Sequence, residues 1–147
     1  MKKYEYQAKT FNEAKNEALV NLMEQEENLY IREIENSQKL FSKKSVIEVV
    51  KKEDVILHIK EMLKEITRLM GLTINMEVKK RENGVTIAIY SDNNAILIGK
   101  DARTLNALTT IIKQSIYNEI GEYYNFVLDV SEYKEKQQHF IEKAAIK

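Results

Sequence analysis

The chain contains no cysteine, no proline and only four glycines among its 147 residues. The absence of cysteine excludes disulfides and thiolate metal sites, which fits a reducing compartment. Since there is no proline, nothing breaks a helix from within. Each of the scarce glycines marks a structural position. We predict helix ends at Gly71 and Gly121, a hairpin turn at Gly84 and a tight loop at Gly99.

The sequence also lacks an excess of charge and a long apolar run. Lys plus Arg and Asp plus Glu are equal, at 23 each. No overall cationic field therefore steers the protein onto nucleic acid, and any such binding needs a local patch. No stretch approaches the roughly 18 apolar residues of a membrane span, and the N-terminus has no apolar signal core. We expect a cytoplasmic protein with no membrane insertion.

The length allows one ordinary domain or two very small ones. We favour two small modules, residues 1–52 and 53–130, whose order of predicted elements is of α+β class, followed by a helical segment at 131–147. In the first module the predicted order is β-α-β-β. Its strands are expected at 4–8, 29–35 and 45–51, and its helix at 11–23. Thr10 and Glu13 have the spacing of a capping box at the start of this helix.

Residues 36–44 form a polar, basic segment between the last two predicted strands of the first module. They include two large apolar residues, Leu40 and Phe41. A small sheet with one helix leaves apolar surface to cover, and such modules usually find partners. Two interpretations stay open: the pair contacts a partner, or it tucks back into the module's own core.

The second module reads as α-β-β-α-loop-α-β. We predict a helix at 55–70 and strands at 72–80 and 85–90, joined through Asn83-Gly84, the strongest short hairpin signal. A short helix or turn then runs to Ile98. The long helix at 104–120 has its apolar residues at helical spacing, and a last strand follows at 123–130.

The loop that begins at Gly99 carries the clearest functional signal. A glycine followed by a cation at the start of a helix offers free N–H groups, a favourable dipole and a mobile positive charge, which suits a phosphate. A nucleotide-binding P-loop is excluded, because Asn94 stands at its first glycine position and Asp101 follows Lys100. Lys100 and Arg103 are therefore candidate contacts for nucleic acid.

No enzymatic constellation accompanies this loop. Asp92 and Asp101 flank it without an evident His or Ser partner, which argues against a hydrolase. His58 and His139 are far apart in sequence, and we interpret both as surface or boundary residues. Tyr123 and Tyr124 could stack on a base, although strand packing is the commoner role. The sequence predicts a non-enzymatic protein without metal or cofactor.

The order of elements in residues 53–130 resembles a type II KH domain. A closer resemblance, to the KH domain of the Jag family, lies in Ile98-Gly99-Lys100-Asp101-Ala102-Arg103-Thr104-Leu105, in Ala107 and Leu108, and in Val127-Leu128-Asp129-Val130 with Tyr133. These are the SpoIIIJ-associated proteins, also called KhpB or EloR. Residues 9–14 are similar to the helix start of the family's N-terminal module, so the resemblance covers about residues 1–135.

The resemblance implies an RNA site at Ile98, Gly99, Lys100, Asp101, Ala102 and Arg103, with Ile96, Ile98 and Ala107 lining a groove for bases. The chain departs from the family in three places. Ala102 replaces the second loop glycine, and we expect it to hold an ordinary helical φ. Gln38-Lys39-Leu40-Phe41-Ser42-Lys43-Lys44 stands where the family has a Lys-Lys-Gly-Phe-Leu-Gly type motif. The C-terminal Arg-xxx-His single-strand-binding domain is absent, and residues 131–147 look like its lead-in, which favours a chain cut short.

Two functions follow as hypotheses. In the first, the protein binds single-stranded RNA through the KH loop. By resemblance it would then regulate bacterial cell elongation, division, cell shape and sporulation, with a small KH-only protein as a partner. In the second, it is a protein-interaction scaffold whose KH fold has little RNA affinity, as its zero net charge, Asp101 and Ala102 suggest. A terminal helix without support would pack readily on another chain, so a homo-oligomer is also expected to be accessible.

Overall fold

The computed structural model describes residues 1–130. They form two compact units. The first comprises Met1–Ile59 with Ile116–Glu122, and the second comprises Lys60–Ser115 with the described residues that follow Glu122. The α+β class expected from the sequence is confirmed, because each unit contains a three-stranded sheet and helical segments. The predicted helix at 131–147 lies outside the described residues.

The sheet of the first unit has three strands, whose order in the sheet differs from their order along the chain. Strand β1 (Tyr4–Ala8) is followed by helix α1 (Phe11–Leu22) and by strands β2 (Leu29–Lys39) and β3 (Ser42–Lys51). The sheet is antiparallel in the order β1-β3-β2. Thr10 caps α1 as predicted, since its hydroxyl accepts a hydrogen bond from the Glu13 N–H at 3.2 Å. The core beneath α1 contains Ala14, Ala18, Leu29, Ile47 and Val49.

The hairpin formed by β2 and β3 is longer than the sequence predicted. Residues 36–44 were expected to separate two shorter strands, but they continue both strands up to a turn at Leu40 and Phe41. Lys39 pairs directly with Ser42 across this turn. Polar residues on both faces hide the alternation that normally indicates a strand. The interpretation that Leu40 and Phe41 tuck into the core is wrong, since both are exposed.

The remaining elements follow the predicted order. They are α2 (Lys52–Leu69), β4 (Ile74–Arg81), β5 (Gly84–Ser91), α3 (Asn94–Ile98), α4 (Arg103–Ile120) and β6 (Phe126–Val130). The boundary between the two units falls within α2 and α4. None of the helices described in residues 1–130 is both long and apolar enough to span a membrane.

The sheet of the second unit has the order β4-β5-β6, and β5 pairs antiparallel with β4 and parallel with β6. Its buried face follows from the register. Ile87 lies between Val78 and Leu128, and Ile89 lies between Met76 and Val130. Because alternate residues of a strand point to opposite faces, these apolar side chains form one layer.

Strand β6 begins three residues later than predicted. The Asn125 side chain donates to the Asn83 carbonyl, and the Asn125 carbonyl accepts from the Val85 N–H at 3.2 Å. Asn125 therefore holds the turn between β4 and β5, and the ladder starts with Phe126. Hydrophobic periodicity in the sequence cannot reveal a polar side chain with a structural role of this kind.

Candidate nucleic-acid interface

The turn between β5 and α3 fixes the position from which the glycine loop starts. A carboxylate oxygen of Asp92 accepts from the Thr73 N–H at 3.0 Å, and the Asp92 N–H donates to the Thr73 carbonyl at 3.1 Å. The Asn94 side chain accepts from the Ser91 N–H at 3.1 Å. Asn93 caps α3. The carboxylate of Asp92 therefore anchors the turn to Thr73.

Gly99 ends α3 in a backbone conformation that is nearly restricted to glycine, with φ 74° and ψ 176°. Its N–H donates to the Ala95 carbonyl at 3.0 Å. A Cβ atom at this position would lie 2.9 Å from Thr104 Cβ and 3.0 Å from Thr104 N. The loop therefore folds back closely onto the start of α4, and a side chain at Gly99 would block this approach.

Asp101 and Ala102 also have positive φ, of 54° and 60°. The expectation that Ala102 holds an ordinary helical φ is wrong. A 3-10 turn at Lys100–Ala102, with a kink at Asp101, connects α3 to α4. In this turn the Ala102 N–H donates to the Gly99 carbonyl at 3.3 Å. Aspartate tolerates this region, whereas for alanine the Cβ costs roughly 1–2 kcal/mol.

Lys100 and Arg103 are the cations of the loop, and both are exposed. Within residues 1–130, neither side chain has an ion-pair partner. Arg103 is the first residue of α4, which has 18 residues, so both charges stand at the positive end of a helix dipole. The first turn of a helix also presents N–H groups without intrahelical partners. The exposed carboxylate of Asp101 lowers the local positive potential.

The apolar residues around the loop divide into buried and exposed ones. Leu97 is fully buried and Ile98 is only 8% exposed, so the side chain of Ile98 packs in the core and does not line an open groove. Ile98 can contribute to binding only through its backbone and by fixing the position of Gly99. Ile96 is 48% exposed. Ala107 is also exposed, and it lies one helical turn after Arg103 on the same face of α4.

Tyr123 and Tyr124, the two candidates for stacking on a base, differ in their exposure. Tyr124 is half-buried, and its ring stacks with Phe126 at a centroid distance of 6.3 Å. Burial raises the pKa of the Tyr124 hydroxyl. Strand packing is therefore the role of Tyr124, while Tyr123 is exposed. His139 lies outside the described residues.

The role of Thr104 was not predicted from the sequence: its backbone and side chain form the surface that Gly99 approaches. The signal was present, because a glycine five residues before a threonine at a helix start permits such a contact. No group of three or more His, Cys, Asp or Glu residues with metal-site geometry occurs in residues 1–130.

Comparisons with known proteins give relatives for this chain. It is 30% identical over 109 residues to a protein of Bacillus subtilis (strain 168), across 74% of this chain and 52% of that protein. It is 26% identical over 144 residues to a protein of Clostridium symbiosum, across 94% of this chain and 65% of that protein. Both relatives are named RNA-binding protein KhpB.

A third relative, from Lactiplantibacillus plantarum, is also named RNA-binding protein KhpB and is 26% identical over 85 residues, which is 58% of this chain and 26% of that protein. No protein-family model matches the chain. The chain spans between about half and two thirds of the length of the Bacillus and Clostridium KhpB proteins. KhpB is one of the names of the family that the glycine loop resembles.

Proposed function

We propose that this chain is a Jag-family protein that binds single-stranded RNA through the loop Gly99 to Arg103 of a type II KH domain. The proposal rests on one observation: two exposed cations without ion-pair partners among the described residues flank a tight loop of positive φ at the start of an 18-residue helix. The names of the three relatives and the order α2-β4-β5-α3-α4-β6 support it.

Lys100 and Arg103 would neutralise phosphates of the RNA backbone as it passes the loop. A KH loop clamps the backbone of about four nucleotides, and the bases lie against apolar side chains. Ile96 and Ala107 are exposed and close to the loop in sequence, so they are the apolar contacts we assign. Because Asp101 stands between the two cations, we expect modest affinity.

The substitution Lys100→Asp tests this function. It places a second carboxylate beside Asp101, where a phosphate has to sit, so RNA binding should be lost. Fluorescence anisotropy with a labelled, mixed-sequence single-stranded RNA measures the affinity. The matched control is Lys64→Asp, which makes the same charge change at an exposed residue of α2. Unchanged affinity in a folded Lys100 variant would contradict the proposal.

Salt dependence gives a second, independent measurement. Binding to single strands weakens with salt with a logarithmic slope of about 0.7 per phosphate neutralised. A loop with two cations predicts a slope near −1.4 on this basis. A slope that stays the same in Lys100→Asp would place the phosphate contacts elsewhere.

The alternative function is a protein-interaction scaffold. It is favoured by the equal numbers of charges of each sign and by Asp101 within the loop. If neither wild type nor the Lys64 control binds RNA at low salt, this alternative replaces the RNA proposal.

The cellular role is part of the same proposal. We assign the protein to the regulation of cell elongation, division and shape and of sporulation, without enzymatic activity, in the cytoplasm and beside a small KH-only partner. Light scattering on the purified chain, alone and with a KH-only protein, tests for the homo-oligomer and for the complex. If the chain is monomeric in both samples, the proposals of a homo-oligomer and of a complex with a KH-only protein are both wrong.

A further inference from the structure

The turn between β2 and β3 presents two large apolar side chains to solvent. Leu40 is 84% exposed and Phe41 is 97% exposed. Neither has positive φ within the described chain, so the turn itself does not restrict which residues can stand there. Turns of hairpins ordinarily carry polar residues and glycine. Leu40 and Phe41 therefore need an explanation outside the packing of their own unit.

This turn, with the ends of both strands, projects beyond the rest of its sheet. Strand β1 ends where Ala8 pairs with Ser45. From Ser45 to Ser42 the hairpin continues with two strands only. At about 3.4 Å per residue the turn extends roughly 10 Å past the end of β1. The apolar pair can therefore enter a surface before the body of this sheet reaches it.

Positive charge surrounds the apolar pair on both faces of the hairpin. In the register, Lys39 lies opposite Ser42, Gln38 opposite Lys43 and Ser37 opposite Lys44. Because successive pairs point to opposite faces, Lys39 and Lys44 are on one face and Lys43 is on the other. Lys9, which directly follows β1, is at the same end of the sheet.

The nearest carboxylates on the hairpin are already engaged. Glu33 accepts hydrogen bonds from the Ser45 hydroxyl at 2.6 Å and from the Asn36 amide at 3.0 Å. Glu35 forms an ion pair with Lys44 at 3.5 Å. Residues 36–44 contain no acidic side chain. The end of the hairpin is thus an apolar tip with a cationic collar.

We propose that this hairpin tip docks on an anionic lipid surface. Leu40 and Phe41 enter the region between headgroups and acyl chains, while Lys39 and Lys43 contact anionic headgroups. Interfacial segments typically bury their apolar side about 5–10 Å deep, which the projection of the hairpin allows. Basic residues beside an anionic leaflet add attraction that salt weakens. This contact is peripheral and involves no spanning segment.

The arrangement of charges favours a lipid surface over an RNA strand. A strand of RNA that ran along the hairpin would lie on one face and leave the cations of the other face unused. A planar surface that is approached end-on meets the cations of both faces and both apolar side chains together. The proposal is therefore independent of the RNA site at Gly99 to Arg103.

A single tryptophan provides the test, because the chain contains none. In the full chain, Phe41→Trp places a fluorescent probe at the tip, and Val20→Trp places a control probe on α1 at a residue that is 75% exposed. We expect vesicles of equal parts phosphatidylglycerol and phosphatidylcholine to shift the emission of the tip probe to the blue. Brominated acyl chains should quench it. Vesicles of phosphatidylcholine alone, and the control probe, should give no shift.

Co-sedimentation with the same vesicles tests the native side chains. The double variant Leu40→Ser with Phe41→Ser should reduce vesicle partitioning at least tenfold, and Val20→Ser should not change it. Lys39→Gln with Lys43→Gln should remove the preference for anionic vesicles. Circular dichroism checks that each variant is folded. We expect each to fold, because the substitutions lie at an exposed turn. Partitioning that the double variant leaves unchanged would overturn the proposal, as would a tip probe that responds to single-stranded RNA and not to vesicles.

Discussion

The backbone of Ala102 has a φ of 60°, a conformation that is strained for a residue with a Cβ atom. Left-handed backbone costs an L-residue with a Cβ roughly 1–2 kcal/mol. The strain occurs in the loop to which we assign RNA binding. Strained backbone is common at the functional sites of proteins. With the helical φ expected from the sequence, glycine at position 102 would destabilise the helix; with the observed φ, glycine relieves strain instead.

We expect Ala102→Gly to raise the free energy of unfolding by about 1 kcal/mol, somewhat less than the strain it relieves, because glycine also gains freedom in the unfolded chain. Removal of the Cβ should also let the RNA backbone approach, and a tenfold gain in affinity requires only about 1.4 kcal/mol. Urea unfolding and RNA titration of the same variant measure both quantities.

Ala107→Gly is the control for the stability effect alone, because Ala107 is itself one of the RNA contacts that we assign. Ala107 lies within α4, where glycine costs up to about 1 kcal/mol relative to alanine. The two alanines should therefore respond with opposite sign. Destabilisation of both variants would show that Ala102 is not strained in solution.

Gly99 and Gly71 both have positive φ, and at Gly99 a ψ of 176° and a steric overlap add to the cost of a side chain. Both have φ near 75–80°, but a Cβ at Gly71 meets no atom within 4 Å, whereas one at Gly99 lies 2.9 Å from Thr104 Cβ. Gly71→Ala should cost roughly 1–2 kcal/mol of stability. Gly99→Ala should cost more and should also weaken RNA binding, because α4 has to shift. Equal melting temperatures for the two variants would argue against the close approach.

Within the first unit, an ion pair joins Lys3, the residue before β1, to the end of α4. Lys3 Nζ lies 3.0 Å from a Glu119 carboxylate oxygen and 3.5 Å from Glu48, which also pairs with Arg32. The hydrogen bond from Lys3 lowers the pKa of Glu119 below its ordinary 4.5, and the bond to Glu119 raises the pKa of Lys3 above 10.5. The pair should therefore stabilise the fold between these two values.

Glu119→Gln tests this pair. The lowered pKa of Glu119 means that its contribution is present above pH 4.5 and disappears as the pH falls further. Both side chains are about one third exposed, so we expect a loss below about 1 kcal/mol at neutral pH. Urea unfolding should show the difference between variant and wild type shrinking as the pH falls below 4.5. A difference that stays constant with pH would have another cause.

The elements themselves were predictable to different degrees. Helices α2 and α4 have long apolar periods, and the sequence places them within a few residues of their observed ends. The hairpin arms at 36–44 have no apolar face, so no period marks them. The conformation of Ala102 belongs to the kinked turn between α3 and α4, which a local rule for alanine does not contain. The positions of the loop cations were predictable because Gly99 and Lys100 stand directly before the long helix α4.

At the scale of the whole molecule, the division of the chain into residues 1–52 and 53–130 remains our proposal. Residues Met1–Ile59 group with Ile116–Glu122, and Arg32 packs beside Gly121 in this unit. We expect residues 53–147 to fold alone with a cooperative melt, but at a lower temperature than the full chain, because α4 loses the contacts of Lys3 and Arg32. Calorimetry of the two proteins measures this difference.

An insoluble or non-cooperative fragment would show that residues 1–52 share a core with the rest of the chain. RNA binding by the fragment should equal that of the full chain, since the loop residues belong to the second unit. The hairpin tip is removed by the same deletion, so vesicle binding should be lost. The fragment thus separates the two proposed activities.

The positive φ of Ala102 also bears on how related loops can be recognised in other chains. A search pattern that requires two glycines passes over this loop, although Gly99, Asp101 and Ala102 all have φ between 54° and 74°. A template of torsion angles would retain it. Under the proposed KH assignment, chains whose loop lacks the second glycine can be compared by the backbone path of the loop in place of the residue type.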